Sequence, residues 1–380
     1  MGFIEQEIAD FRDKCEQQIP HTKIIACSPS LIRVDIYPER QNRSMTVCLR
    51  FPENYPKTST ILVELKSRVY SDKLLTELTR LIDEYLKEHM GKQQSFLVLA
   101  FTQQYLTDNP LCVVLDEIKQ LRMDIKAQET LSQQQAESSQ LKLRQKNSSV
   151  ELTARGGAYI YRIIATVPDD YPTQSVELKC QDSNLPAILV RYLNGQSREI
   201  ARKCVEPPLR LTKDELANFR PIRSLHRSLK FCLEATHDFH LELCPICDNP
   251  VLPKDPKDMV TDENSEAYIE RVYCGHLFHQ ACLKLYLSEP PFPKGGKQCP
   301  AKRRHPRSDA QSYMGNKKVT TTTAAGAAGT SHKSSLDNQN VCGIKLAHDR
   351  WVISVKTAEA RWAQKQARQR ELEEVIDFLQ

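Results

Sequence analysis

The sequence predicts an α+β chain with a metal-organised module toward its C-terminus, and three observations carry that prediction. Short runs in which apolar and polar residues alternate are interleaved with longer runs of helical period. Two blocks recur: Val167-Pro-Asp-Asp-Tyr171-Pro172 echoes Phe51-Pro-Glu-Asn-Tyr55-Pro56 at an offset of 116 residues, and Val176-Glu-Leu-Lys179 repeats Val63-Glu-Leu-Lys66 at an offset of 113. A repeat at this distance points to a duplicated domain, since solenoid repeats are shorter. Lastly, six cysteines and two histidines gather between 244 and 342, in Cys244-Pro-Ile-Cys247, Cys274-Gly-His276-Leu-Phe-His279-Gln-Ala-Cys282, Cys299-Pro300 and Cys342-Gly343.

Residues 3–18 fit an amphipathic helix, with Phe3, Ile4, Ile8, Phe11 and Cys15 along one side. The period then changes to two. Ile32, Val34 and Ile36, then Met45, Val47, Leu49 and Phe51, then Ile61, Val63 and Leu65 alternate with polar positions, as consecutive strands of a meander do. Tyr55-Pro56 sits between the last two, where a proline without an N–H suits a strand leaving its ladder. Leu74, Leu75, Leu78, Leu81, Ile82 and Tyr85 predict a helix over about 71–90, and the run 96–101 fits either a strand or part of a helix.

The second copy opens with a predicted helix at about 113–130, on Leu115, Ile118, Leu121, Met123 and Ile125. A Gln/Ser-rich run over 132–140 reads as its polar end or a loop. Strands follow over 141–180, with Tyr159, Tyr161, Ile163, Ala165 and Val167 alternating, then helices over about 185–204 and 212–238, parted by Pro207-Pro208. In both copies the order helix, meander, Tyr-Pro, helix resembles the RWD domain, a relative of the ubiquitin-conjugating fold. That family usually carries a further proline four positions on, where this chain has Thr60. The resemblance implies RWD-like domains over 1–110 and 111–240. A conjugating enzyme needs a cysteine nucleophile, but Cys204 lies in Ala-Arg-Lys-Cys-Val-Glu near a helix end, without the His-Pro-Asn of that family. It reads as a packing cysteine, and no catalytic residue is assigned. His237 and His240 read as helix-surface residues.

A two-residue gap lets both side chains of a Cys pair turn onto one ion, and eight Cys or His ligands suffice to close two tetrahedral zinc sites. Closed sites are structural, because a catalytic zinc keeps a position for water. The other reading, a chance clustering of core cysteines, leaves the joint spacing unexplained. The ligand order, with histidines fourth and fifth, resembles a RING finger, here over 241–350. The resemblance implies a cross-braced pair of sites: Cys244, Cys247, His279 and Cys282 on one zinc, and Cys274, His276, Cys299 and an eighth ligand on the other. The family expects Cys-Pro-x-Cys, yet Ala301-Lys302 follow Cys299-Pro300. Removing 301–340 would join Cys299-Pro300 to Val341-Cys342 and restore that spacing. Residues 301–340 therefore read as an insertion (an alternative exon, a retained intron or an error in the gene prediction) and Cys342 as the eighth ligand, with His305 or His332 as alternatives within it. The insertion is rich in Ser, Thr, Ala and Gly, which predicts disorder. Residues 248–270 form a polar first loop, and a helix over 283–287 ends at Pro290-Pro-Phe-Pro293 and Gly295-Gly296. Thr357 is expected to cap a helix running to about 379, within 351–380, with Trp362, Ala363, Val375, Ile376 and Leu379 on its apolar side.

Composition narrows the function. The net charge of +5 suggests nucleic acid, but seven of the 53 basic and two of the 48 acidic residues lie in 301–340, leaving 46 of each elsewhere. No nucleic-acid partner is expected. No apolar run reaches membrane-spanning length, and the N-terminus lacks a secretory pattern or a myristoylation site. A reducing, cytoplasmic or nuclear setting is expected, with the seven cysteines outside the cluster as core residues.

Two RWD-like copies followed by a RING resemble the RWD–RING ubiquitin ligases, whose layout the ligase subunit of the Fanconi anaemia core complex shares. The resemblance implies that the RING recruits a ubiquitin-conjugating enzyme and orients its thioester for transfer to a lysine of a protein substrate, supplying proximity rather than an acid or nucleophile. The family's contact positions fall on Ile246, Tyr286 and Pro300. Tyr286 stands where Trp is usual, and Gly343 stands where an activating Arg often follows the eighth ligand. The alternative is a non-catalytic scaffold with a degenerate RING.

Overall fold

A computed structural model describes residues 2–37, 43–131, 138–208, 212–293, 296–302, 342–346 and 352–379. Helix α1 (Phe3–Gln18) buries Ile8, Phe11 and Cys15. Strands β1 (Thr22–Cys27), β2 (Ile32–Ile36), β3 (Met45–Arg50) and β4 (Leu62–Lys66) follow in sheet order β1-β2-β3-β4, all antiparallel. The register Val34↔Val47↔Leu65 lines up the alternating apolar residues, so Ile32, Val34, Ile36, Met45, Val47 and Leu49 share one fully buried face. Helices α2 (Asp72–Lys87) and α3 (Ser95–Asp108) complete the first part. Residues 96–101 are thus helical.

The second part repeats the plan. Helix α4 (Leu115–Leu131) leads into β5 (Gln140–Arg144), β6 (Ser149–Gly156), β7 (Tyr159–Thr166) and β8 (Glu177–Ser183), in sheet order β5-β6-β7-β8. Helix α5 (Ala187–Val205) follows. The single helix expected over 212–238 is instead two, α6 (Lys213–Asn218) and α7 (Leu225–Phe239). Pro221 lies in the break, where it lacks the N–H that would continue the ladder.

Each part carries the same buried polar device. In the first, Glu7 of α1 accepts four hydrogen bonds: Tyr55 Oη at 2.6 Å, Gln94 N at 2.9 Å, Ser95 N at 2.8 Å and Ser95 Oγ at 2.6 Å. Gln94 N also donates to Tyr55 Oη, 3.0 Å away. The carboxylate thereby satisfies N–H groups that the start of α3 leaves without helical partners. In the second, Glu117 of α4 accepts from Tyr171 Oη at 2.6 Å and His226 N at 3.1 Å, and Ser224 N and Leu225 N donate to Tyr171 Oη at the start of α7. Burial is the main cause that pushes the Glu117 carboxyl and both tyrosine hydroxyls upward. Both Tyr-Pro bonds are cis.

Two arginines link the parts reciprocally. Arg43 donates to the carbonyls of Pro110 (2.8 Å) and Pro168 (2.9 Å), while Arg223 donates to those of Val113 (2.6 Å) and Val69 (2.8 Å).

By contact the chain divides into two compact units. One comprises Met1–Ala154, Arg162–Asp182 and Asn194–Leu233; the other comprises Arg155–Tyr161, Ser183–Leu193 and Glu234–Gln380. The second holds the hairpin β9 (Ile269–Arg271) and β10 (Leu277–His279), helix α8 (Gln280–Ser288) and helix α9 (Val352–Leu379). Thr357 does not cap α9: the helix already runs from Val352, and the Thr357 hydroxyl donates back to Ile353 O at 2.8 Å. No helix among the described residues is long and apolar enough to cross a membrane. Residues 303–340 of the expected insertion, with His305 and His332, lie outside the described residues, as does 132–137 of the Gln/Ser-rich run.

Candidate metal centre

Cys244-Pro-Ile-Cys247 folds as a tight turn. Asp248 N donates to Cys244 O and Cys244 N to Asn249 O, both at 2.8 Å, and Asp248 takes a left-handed φ of 55° to close it. Gly275 parts the next two ligands at φ 91°, where a side chain would be strained. The β9–β10 hairpin carries His276 and His279 to opposite ends of a short strand, and Cys282 projects from the first turn of α8.

The remaining pair meets through a ladder that the sequence does not announce. Cys299 N donates to Ile344 O (2.8 Å), Gly343 N to Cys299 O (3.4 Å), Cys342 N to Ala301 O (2.8 Å) and Leu346 N to Lys297 O (2.9 Å). With the antiparallel bridge Gln298↔Lys345, segments 297–301 and 342–346 form a hairpin neck that sets Cys299 beside Cys342. Ala301, counted within the expected insertion, belongs to this neck and is buried.

Two clusters result: Cys244, Cys247, His279 and Cys282, and Cys274, His276, Cys299 and Cys342. Within each, the candidate ligand atoms lie within 4.8 Å of one another. Nδ1 of His279 is 3.4 Å from Cys247 Sγ and 4.0 Å from Cys282 Sγ; Nδ1 of His276 is 3.2 Å from Cys274 Sγ and 3.5 Å from Cys299 Sγ. Tetrahedral zinc with bonds of about 2.0–2.3 Å sets its ligands about 3.5–3.8 Å apart, so the spacing and the soft S/N donor set fit that ion. The outer Nε2 of His279 faces Pro250 O at 3.2 Å, a contact that fixes the ring with Nδ1 toward the metal.

The thiols lie close enough to perturb one another's ionisation. Cys274 is held down to about 3, chiefly by its hydrogen bond with Cys299 and then by His276, while Cys299 is pushed up by the same bond and by burial. Burial raises Cys282 to about 12; at Cys247 burial acts upward too, but bonds from the Asn249 amide and from Cys244 and Cys282 outweigh it and hold it low. Zinc held by these residues would take the cysteines as thiolates, with their protons displaced.

The family of C3HC4-type zinc fingers (RING fingers) matches residues 244–301. These residues form a RING finger. Seven of the eight clustered residues fall inside the match; Cys342, brought in by the neck, falls outside it. No curated protein matches the chain. The Cys and His clusters of this RING finger are positioned for structural zinc.

Around the finger, Ile246, Tyr286 and Pro300 are each half-buried rather than fully turned out to solvent. The Tyr286 hydroxyl donates to Gln298 O at 2.9 Å, and the buried Lys297 ammonium lies 4.5 Å from its ring centroid. Lys297 also donates to the Tyr286 and Glu289 carbonyls at the end of α8, satisfying groups the helix leaves open. More exposed apolar residues, missed in the sequence, flank the ligands: Leu243, Tyr273, Leu285 and Ile344. Leu243 and Tyr273 each precede a ligand, Leu285 precedes Tyr286 and Ile344 lies two residues beyond Cys342, and that nearness was the signal in the sequence. The first loop is also less polar than expected, since Val251 and Leu252 are buried and Tyr159 Oη donates to Pro253 O at 2.8 Å. Cys204 is buried on α5, and burial pushes its thiol up, away from nucleophilic duty.

Proposed function

We propose that this chain is a RING-type ubiquitin ligase. The observation that carries the reading is the RING finger with both four-ligand clusters assembled, Cys342 included. Zinc held by Cys244, Cys247, His279 and Cys282, and by Cys274, His276, Cys299 and Cys342, would supply rigidity and no acid–base step. The surface around Ile246, Tyr286 and Pro300 binds a ubiquitin-conjugating enzyme and holds its thioester in a reactive pose.

Residues 1–110 and 111–240 act as RWD-like domains that bind a protein substrate or complex partners. The paired Glu–Tyr devices, each at a Tyr-Pro and each fixing the start of the following helix, support the duplication that this reading requires. The resemblance to the Fanconi ligase subunit rests on layout alone. A reducing cytoplasmic or nuclear setting suits thiols that serve as ligands and core residues.

The test is single-turnover discharge of ubiquitin-charged conjugating enzymes across a panel. Ile246→Ala should abolish stimulated discharge while keeping two zinc ions per chain and an unchanged melting temperature. Tyr286→Ala and Pro300→Ala should weaken the same step, and removal of 301–340 should raise it. If zinc-loaded protein accelerates no conjugating enzyme, the scaffold reading replaces this one. Gly343, at φ 64° in the place of the family's Arg, is the observation that favours the scaffold.

A further inference from the structure

Helix α9 spans 28 residues, about 42 Å at 1.5 Å per residue. Val355, Ala358, Trp362, Lys365, Gln369, Leu372, Ile376 and Leu379 recur at alternating gaps of three and four, the spacing of a coiled-coil seam. Along this one stripe the surroundings change. Val355, Ala358 and Trp362 are half-buried, α9 packs on α8, and the Trp362 ring meets Phe292 edge-on with centroids 5.7 Å apart. Farther along, Leu372 is 63% exposed and Ile376 53%. The seam thus continues directly out of an internal interface onto open surface.

We propose that the C-terminal half of α9 pairs with the same half of a second copy of this chain, parallel and in register, as a short two-stranded coiled coil. The residues flanking the seam select that occupant. In a parallel pair, the residue just before a seam layer on one chain faces the residue five positions later on its partner. Arg368 then faces the partner's Glu373, and Glu373 faces the partner's Arg368, giving two ion pairs by symmetry. An antiparallel pair sets like flanks together and forms neither. Gln369, the polar seam residue of that half, supports the same register, since in-register pairing matches its amide with its counterpart. Lys365 opposes its own copy, which ends the seam where α9 turns to α8 and keeps the association weak. The inference does not depend on the ligase reading.

The test is sedimentation equilibrium of the zinc-loaded full chain over about two decades of concentration spanning the micromolar range. A monomer–dimer equilibrium is expected, and it should vanish in Leu372→Asp/Ile376→Asp with two zinc ions per chain retained. Arg368→Glu and Glu373→Arg should each weaken dimerisation about tenfold, while the double variant, or an equimolar mixture of the two single variants, should recover it. A chain that stays monomeric throughout, or binds only an unrelated helix, overturns the proposal. So does a dimer indifferent to the two aspartates, or one in which the charge swap fails to recover association.

Discussion

Replacing Glu7 by Ala removes the acceptor of four hydrogen bonds inside a site with no solvent access. Ser95 N, at the start of α3, would lose its acceptor. Gln94 N would keep Tyr55 Oη, and that hydroxyl would keep only a 3.4 Å contact with Lys92 O. A buried donor left without an acceptor costs about 1–3 kcal/mol, and Ser95 N and Ser95 Oγ would both be left so; we expect a loss of about 4 kcal/mol. Glu117 accepts two such bonds rather than four, so Glu117→Ala should cost about 2 kcal/mol. Urea unfolding should be followed by far-UV circular dichroism, with hydrogen exchange read at the α3 amides of Val98 and Leu99. A loss below about 1 kcal/mol for Glu7→Ala, or an equal loss for the two variants, would refute the reasoning.

Gly156→Ala would drive a methyl carbon into the Thr236 carbonyl oxygen, so strand and helix must part; a loss of about 2 kcal/mol or more is expected in thermal melts. Arg223→Ala removes both bonds to Val113 and Val69 and should cost about 2 kcal/mol, whereas Arg223→Lys, lacking the fork, should recover less than half. Metal analysis should find two zinc ions per chain, and chelation or Cys244→Ser should unfold the finger locally, since structural zinc contributes on the order of 10 kcal/mol to such small folds. Circular dichroism from the two sheets should persist under that treatment.

Periodicity made β2, β3, β4 and β7 legible, because each has one buried face. It missed β1, whose burial pattern includes no fully buried residue and whose adjacent Ile24 and Ile25 break the alternation that would have marked it. The run 96–101 was ambiguous because a short apolar stretch fits either period; in the structure it packs as α3. Glu7 and Glu117 were invisible for a different reason. A charged residue in an amphipathic helix reads as solvent-facing, and only their shared position before each Tyr-Pro block hinted otherwise. Spacing carried the metal centre well up to Cys299. The neck joining Cys299 to Cys342 depends on backbone hydrogen bonds, which any side chains can make, so composition could not reveal where the ladder begins.

That neck changes what a broken chain would mean. A cut anywhere between 303 and 341 would separate the polypeptide in two, but the piece beginning near Cys342 would still be tethered by a metal ligand, by the ladder to 297–301 and by Trp362 against Phe292. Zinc would then act as a rivet across a gap in the covalent chain. Cleaved protein would travel as one particle until a chelator removed the rivet, and only then would α9 come away. Severance would be silent in the presence of metal and decisive in its absence, so the integrity of this molecule is set jointly by the peptide bond and by zinc supply.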